Sequence, residues 1–359
     1  MDGLTQDMFR IQIETSLESY AVKMGASLLQ SLGQFDFLIF DGNVPSVRDS
    51  LAIGNISVLA AESNKNLDTA ELILTKMKRV GLNRKSKVLV VGGGVVQDLA
   101  TLACSLYMRG VSWSYEPTTL TSMIDSCVGG KSSINVGDFK NLIGNVYPPQ
   151  TVNIQLDHLR SLPARALIDG VSEGVKICFA RSDKDFQKFV SSIPDPRNLD
   201  ATALGDAIET SLTSKKWFVE KDEFDNQERR LLNFGHTFGH ALESASGFKF
   251  SHGASVALGM LAAIHFSRTS NIPRVALLSE FCLKLLSPIS QEIRGNARAV
   301  DWSTFDLSVR SDKKNTFGFL HLILPNDSGF LEEIKIPVND NTLESICASL
   351  KHAIGQVSS

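Results

Sequence analysis

Three of the seven histidines fall in one short segment, LLNFGHTFGHALESASGFKFSHGA (231–254). His236 and His240 are four apart and share one helix face. His252 follows after a loop. Three imidazoles that can converge form a donor set for a divalent metal, with an acid as the usual companion. Spacing alone does not say which two or three of them bind. The candidate acid is Glu173 in GVSEGVK (170–176). Lys176, three residues on, shares its helix face, and Val171, Val175, Ile177 and Ala180 make the stretch largely apolar. A charged pair inside such a stretch is costly unless it serves a site.

A second set of residues suits anions. Gly92, Gly93 and Gly94 directly follow the apolar run Lys87–Val91 and open a helical stretch. Backbone N–H groups in such a turn approach a phosphate closely, and the helix N-terminus adds partial positive charge. The spacing is not G-x-G-x-x-G. Asp98 lies just inside the helix, where its charge suits the dipole or a ligand. Asp41 and Asn43 end the strand Phe37–Phe40, at the kind of carboxyl edge where open α/β sheets bind ligands. Glu62 and Lys65 again follow a strand. Arg109, Thr118, Thr119, the segment Asp125–Lys131, Lys140 and Asn141 gather phosphate-binding donors in about thirty residues. GGKS (129–132) looks like the end of a P-loop, but Asp125 stands where the first glycine is required, which excludes a nucleoside triphosphatase of that type. His158, His265, His321 and His352 are isolated and read as structural.

These residues need particular elements to hold them. Phe37–Phe40, Ile56–Leu59 and Lys87–Val91 read as strands, and Leu67–Val80 as a helix with a basic C-terminal end. The all-apolar strand before the glycines implies a parallel sheet covered on both faces. The order is that of a nucleotide-binding α/β domain. Helical patterns dominate from about residue 159: Ala164–Ala180, Ala203–Trp217, His236–Ser246 and Ser255–Ser267, with a late strand at Leu320–Leu324. The expected division is therefore 1–158, a nucleotide-binding α/β domain, and 159–359, a mainly helical domain that carries the histidine cluster. The 359 residues carry a net charge of -3, which gives no basic field for nucleic acid. No apolar run is long enough to span a bilayer, and the N-terminus lacks a signal-peptide pattern. Five scattered cysteines without a CxxC pair suit reduced thiols in a cytoplasm.

In order along the chain, GGGVVQDLA, YMRG, PTTL, DSCVGGK, KNLIG, LNFGHTFGHALE and SHG resemble the 3-dehydroquinate synthases and the wider sugar phosphate cyclase family, from about Asp41 to Lys314. The resemblance implies a Rossmann-like N-terminal domain, a mostly helical C-terminal domain and a homodimer. It implies Glu173, His236 and His252 as ligands of a metal, normally zinc, with cobalt as an alternative. Around NAD it implies Asp41, Asn43, Glu62, Lys65, Gly93, Gly94, Asp98, Thr118 and Thr119, with Lys140 beside them. Around the substrate it implies Asp125, Lys131, Asn141, Lys176, Lys215, Arg229, Asn233 and His240. Arg109 matches an arginine that reaches a phosphate from the neighbouring subunit, and Lys313 or Lys314 matches a late basic contact.

The implied reaction converts 3-deoxy-arabino-heptulosonate 7-phosphate to 3-dehydroquinate and phosphate. It runs through transient oxidation by NAD, elimination and aldol closure, with NAD regenerated each turnover. Some segments depart from the family pattern. SSINVGDFKN (132–141) replaces Thr-Gly-Val-Asn and a His-Pro-Leu-Gly-Lys-Asn stretch, His252-Gly253-Ala254 replaces His-Gly-Glu, and SEGVK replaces AEVIK. These changes flank matched polar residues without deleting them. They keep open a second substrate, sedoheptulose 7-phosphate or a related ketose phosphate going to a cyclitol. Arg229 favours the acid substrate, because a carboxylate calls for such a cation. A metal-dependent polyol dehydrogenase is disfavoured by Glu at the acidic position and by the GHTFGH helix.

Overall fold

The computed structural model describes residues 9–48, 53–137, 139–200, 203–312, 315–316 and 318–358, and only the backbone of 46 and 48. Lys313 and Lys314 lie outside the described residues. The chain divides into two compact units, the first ending at Leu162 and the second beginning at Pro163.

The first unit holds β1 (Phe9–Ile13), β2 (Tyr20–Met24), β3 (Phe37–Asp41), α1 (Pro45–Arg48), β4 (Gly54–Val58), α2 (Leu67–Arg79), β5 (Lys87–Gly92), α3 (Gly94–Leu106), β6 (Ser112–Pro117), β7 (Lys131–Val136), β8 (Phe139–Val146) and β9 (Thr151–Ile154). Seven strands form one sheet in the order β1-β2-β9-β6-β5-β3-β4, parallel except for the β1–β2 pair. Every residue of β3, and of β5 after Lys87, is buried, as strands covered on both faces require. The chain leaves β3 outward to β4, returns through α2 to β5, and continues through α3 to β6. The winding therefore reverses between β3 and β5, whose ends lie side by side with Phe40 opposite Val91. Asp41 and the glycine turn thus share the switch point of the sheet. The segment around Lys131, which its glycines and polar residues suggest is a loop, is instead the antiparallel hairpin β7–β8. Gly129 and Gly130 (φ 114° and 60°) only make the turn that leads into it.

The second unit holds α4 (Ala164–Arg181), α5 (Asp183–Ser191), α6 (Gly205–Lys221), α7 (His236–Ala245), α8 (His252–Ser267), α9 (Pro273–Leu286), α10 (Ser290–Ala297), α11 (Trp302–Arg310), the hairpin β10 (Phe319–Pro325) and β11 (Leu331–Pro337), and α12 (Asp340–Ser358). Its centre is α8, buried at every residue from Gly253 to Ile264 and packed against α4, α7, α9 and α12. A Cβ on Gly253 would lie 2.2 Å from Asp169 Cα, so only glycine lets α4 lie against the start of α8. No described helix is long and apolar enough to cross a membrane.

Candidate functional site

In the helical unit, Glu173 sits mid-α4 and is buried, with 1% of its surface exposed. Its two oxygens do different things. Oε2 accepts from Lys176 Nζ one turn along. Oε1 faces α7 and α8, 3.9 Å from His236 Nε2 and 3.2 Å from His252 Nε2. It is buried and has no hydrogen-bond partner among the described residues. The ligating atoms of His236, His240 and His252 all lie within 4.8 Å of one another. The outer nitrogens of two of the rings are held: His252 Nδ1 bonds Glu243 Oε1 (2.8 Å) and His236 Nδ1 bonds the Phe234 carbonyl (3.3 Å). A carboxylate and a carbonyl only accept, so each Nδ1 donates, and Nε2 is the atom left for a metal.

The charges of Glu173 and His236 agree with that reading. Burial opposes ionisation of Glu173, but the Lys176 ammonium, helped by His252 and His236, holds the carboxyl well below the usual range. Burial, and then the Lys176 charge, pushes His236 well below its usual range, into the neutral form that ligates. Burial also opposes a charge on His252, yet Glu173 and Glu243 outweigh it and raise that imidazole to about 10, which favours its protonated form, so a cation that binds Nε2 displaces a proton. A buried carboxylate oxygen facing imidazole nitrogens is a set of atoms able to hold a zinc-type cation.

The segment before α7 is held by Asp222, which ends α6 and accepts the backbone N–H groups of Asn226 (2.9 Å), Gln227 (2.7 Å) and Arg229 (3.1 Å). Arg229 is buried on the short turn Glu228–Asn233, its guanidinium donating to the Glu223 carbonyl (2.7 Å). Asn233 Nδ2 donates to the Arg230 carbonyl (3.0 Å), and Lys215 is buried on α6.

In the α/β unit, Gly93 caps α3 without a side chain, and a Cβ there would lie 2.8 Å from Thr119 Cγ2. Thr118 N donates to the Gly92 carbonyl (3.0 Å), which draws the Pro117–Thr119 segment against the glycine turn. Lys65 Nζ pairs with Asp98 Oδ2 (2.6 Å) and bonds Asn141 Oδ1 (2.8 Å). Asn135 Nδ2 donates to Glu62 Oε1 (2.8 Å), and Ser133 N to Asp98 Oδ1 (3.2 Å). The β7–β8 hairpin thus ties Glu62, Lys65, Asp98 and Asn141 into one network.

The family profile described as 3-dehydroquinate synthase N-terminal matches residues 55–169, and the one described as 3-dehydroquinate synthase C-terminal matches residues 170–315. The chain belongs to the 3-dehydroquinate synthase family. It is 32% identical over 340 residues to the 3-dehydroquinate synthase of Dictyoglomus thermophilum, across 91% of this chain and 95% of that one. It is 36% identical over 302 residues to that of Xanthomonas oryzae pv. oryzae, across 80% and 79%. Two solved structures share the fold. A 2-deoxy-scyllo-inosose synthase complexed with carbaglucose-6-phosphate, NAD+ and Co2+ superposes with a TM-score of 0.80 at 22% identity, over 94% of this chain and 99% of that chain. The 2-epi-5-epi-valiolone synthase of Streptomyces hygroscopicus with NAD+ and Zn2+ gives 0.77 at 23% identity, over 96% and 99%.

Within this 3-dehydroquinate synthase family member, the remaining candidates are placed as follows. Asp41 Oδ1 accepts the Asn43 backbone N–H (2.9 Å), an Asx turn at the end of β3. Asn43, Arg109 and Lys140 are exposed; Asp125 and Lys131 are half-buried, on the turn Ser122–Ser126 and at the start of β7. Arg109 has a left-handed backbone (φ 66°) between exposed Met108 and Gly110. Sequence reasoning missed Glu243, Asn135 and Ser133. Glu243 was within reach of it: positions 236, 240 and 243 share one face of α7. The hairpin contacts carried no such signal, because they depend on a strand pairing that a polar, glycine-flanked segment conceals.

Proposed function

We propose that this chain is a 3-dehydroquinate synthase, converting 3-deoxy-arabino-heptulosonate 7-phosphate to 3-dehydroquinate and phosphate. The observation that carries the reading is Glu173 Oε1, buried without a hydrogen bond and facing the Nε2 atoms of His236 and His252, in a chain about one-third identical to curated synthases. Those three residues hold a divalent cation, zinc or cobalt, which supplies a Lewis acid at the hydroxyl to be oxidised. The Gly93-Gly94 turn, Asp41, Asn43, Glu62, Lys65, Asp98, Thr118, Thr119 and Lys140 hold NAD, which supplies a reversible hydride acceptor.

The chain's own residues supply positioning and charge. Arg229 offers a planar pair of donors to the substrate carboxylate, and Lys176 and Lys215 balance its negative charge. Asn233 and Asn141 orient hydroxyl groups, Asp125 accepts a hydrogen bond, and Lys131 and Arg109 neutralise phosphate. Late basic help comes from Lys313 or Lys314. His240, exposed on the same face of α7 as His236, handles protons. We also propose a cytoplasmic homodimer. Four of the five cysteines are buried free thiols, which suits a reducing compartment, and the exposed Leu106 and Met108 beside Arg109 suit a subunit contact.

The test is to incubate the purified protein with NAD, zinc and each candidate sugar phosphate, follow phosphate release and identify the product. Phosphate release from the seven-carbon acid with 3-dehydroquinate as product supports the reading. Efficient cyclisation of sedoheptulose 7-phosphate with neglect of the acid replaces it by the cyclitol reaction, and stoichiometric NADH replaces it by a dehydrogenase.

A further inference from the structure

The helix that delivers His252 is capped in an unusual way. A helix leaves its first N–H groups without partners, and the residue before the helix commonly supplies a side-chain acceptor. Ser251 occupies that position before α8, but its hydroxyl makes no capping bond. Instead it donates to Asp169 Oδ1 (2.6 Å), on α4. The same oxygen accepts the N–H of Ala254 (3.2 Å), the third residue of α8. The acceptor for the start of α8 is thus borrowed from another helix. Its carboxylate stands where the partial positive charge of the helix end favours an anion. Gly253 lets the Asp169 backbone come close enough for this.

Asp169 and Glu173 are four residues apart on α4, one turn from each other. One rigid helix therefore carries both the acid that faces the histidines and the acid that fixes where His252 begins. We propose that Asp169 is a positioning residue of the metal centre: it sets His252 Nε2 against Glu173 Oε1 by pinning the first turn of α8 to α4. This rests on the metal reading of Glu173, His236 and His252.

The test is titration of the full-length protein with Co2+, followed by visible absorption, in Asp169→Ala, Asp169→Asn and Ser251→Ala. Asp169→Ala should weaken cobalt binding by about tenfold or more, as loss of an orienting partner does, and should change the band shape. Asp169→Asn keeps an oxygen acceptor for both donors and should restore wild-type bands and an affinity within about threefold of wild type. NAD affinity, read by fluorescence, should stay unchanged in both. An Asn variant as weak as the Ala variant overturns positioning in favour of charge alone. If Asp169→Ala does not fold, Ser251→Ala decides: several-fold weaker cobalt binding supports the proposal, and unchanged binding overturns it. His236→Ala separates the two readings. Equal cobalt binding by wild type and His236→Ala removes the metal reading and this inference with it. A His236-dependent site that Asp169→Ala leaves intact removes the inference alone.

Discussion

The two units hold their polar residues in opposite states. In the helical unit, a carboxylate oxygen and the histidine nitrogens stand within 4 Å without hydrogen bonds to satisfy that oxygen. In the α/β unit, Lys65 is paired with Asp98 and Asn141, Glu62 with Asn135, and Asp41 with its own turn. On the proposed metal reading, a divalent cation would satisfy the first arrangement. The second already has partners within the unit, so on the proposed reading a nucleotide there would exchange bonds with them. The price of preorganisation is therefore concentrated at the cluster of Glu173 and the histidines, while the hairpin network contributes to stability on its own account.

That contrast can be broken by mutation. His236→Ala should abolish metal retention and cut turnover roughly thousandfold or more, since the Lewis acid contributes several kcal/mol. Compared without metal, His236→Ala and wild type should unfold in urea within about 1 kcal/mol of each other, because only the bond from His236 to the Phe234 carbonyl is lost, whereas added zinc should stabilise wild type alone. His240→Ala should keep the metal yet lose turnover; loss of metal there would show that the wrong histidines were paired. Next in size, Arg229→Ala should damage use of the acid substrate by about 2–5 kcal/mol in kcat/KM, with NAD and metal binding retained. Unchanged kinetics would remove the carboxylate role. Lys65→Met should behave in the reverse manner to His236→Ala: the metal stays, NAD binds more weakly, and urea unfolding costs about 1–3 kcal/mol less because Asp98 keeps a half-buried carboxylate without its cation. A fully stable Lys65→Met protein would erase the difference between the units.

The smallest effect concerns pH. Burial works against the charge on Asp222, but the N–H groups of Asn226, Gln227 and Arg229 outweigh it and lower its carboxyl below 3.8. A lowered folded value means that the stabilisation is complete above about pH 4 and is lost as pH falls through the folded value. Asp222→Asn should therefore flatten the acid limb of stability below about pH 4, and acid unfolding curves that coincide with wild type would count against the role.

The strands that end in Asp41 and Gly92, and the helices that carry Glu173 and His236, were legible because burial leaves a direct mark: apolar runs for covered strands and apolar flanks around an isolated charged pair. The convergence of His252 with Glu173 was legible only through the family motifs, since the contact joins residues far apart along the chain. The β7–β8 hairpin was not legible at all. Its β8 strand exposes Phe139, Leu142 and Ile143, so neither face shows the alternation that betrays a strand. Likewise, the polar bonds of Asp169 depend on the missing Cβ of Gly253, which no periodicity records.

The burial of α8 sets a timescale as well as a position. Its amides from Gly253 to Ile264 are shielded on all sides, so their protons can be traded for deuterium only when the helical unit opens as a whole. His252, at the exposed head of this segment, opens on a faster scale than the amides behind it, so a cation held there should leave by loosening the first turn of α8 long before the rest of that helix gives up a single proton.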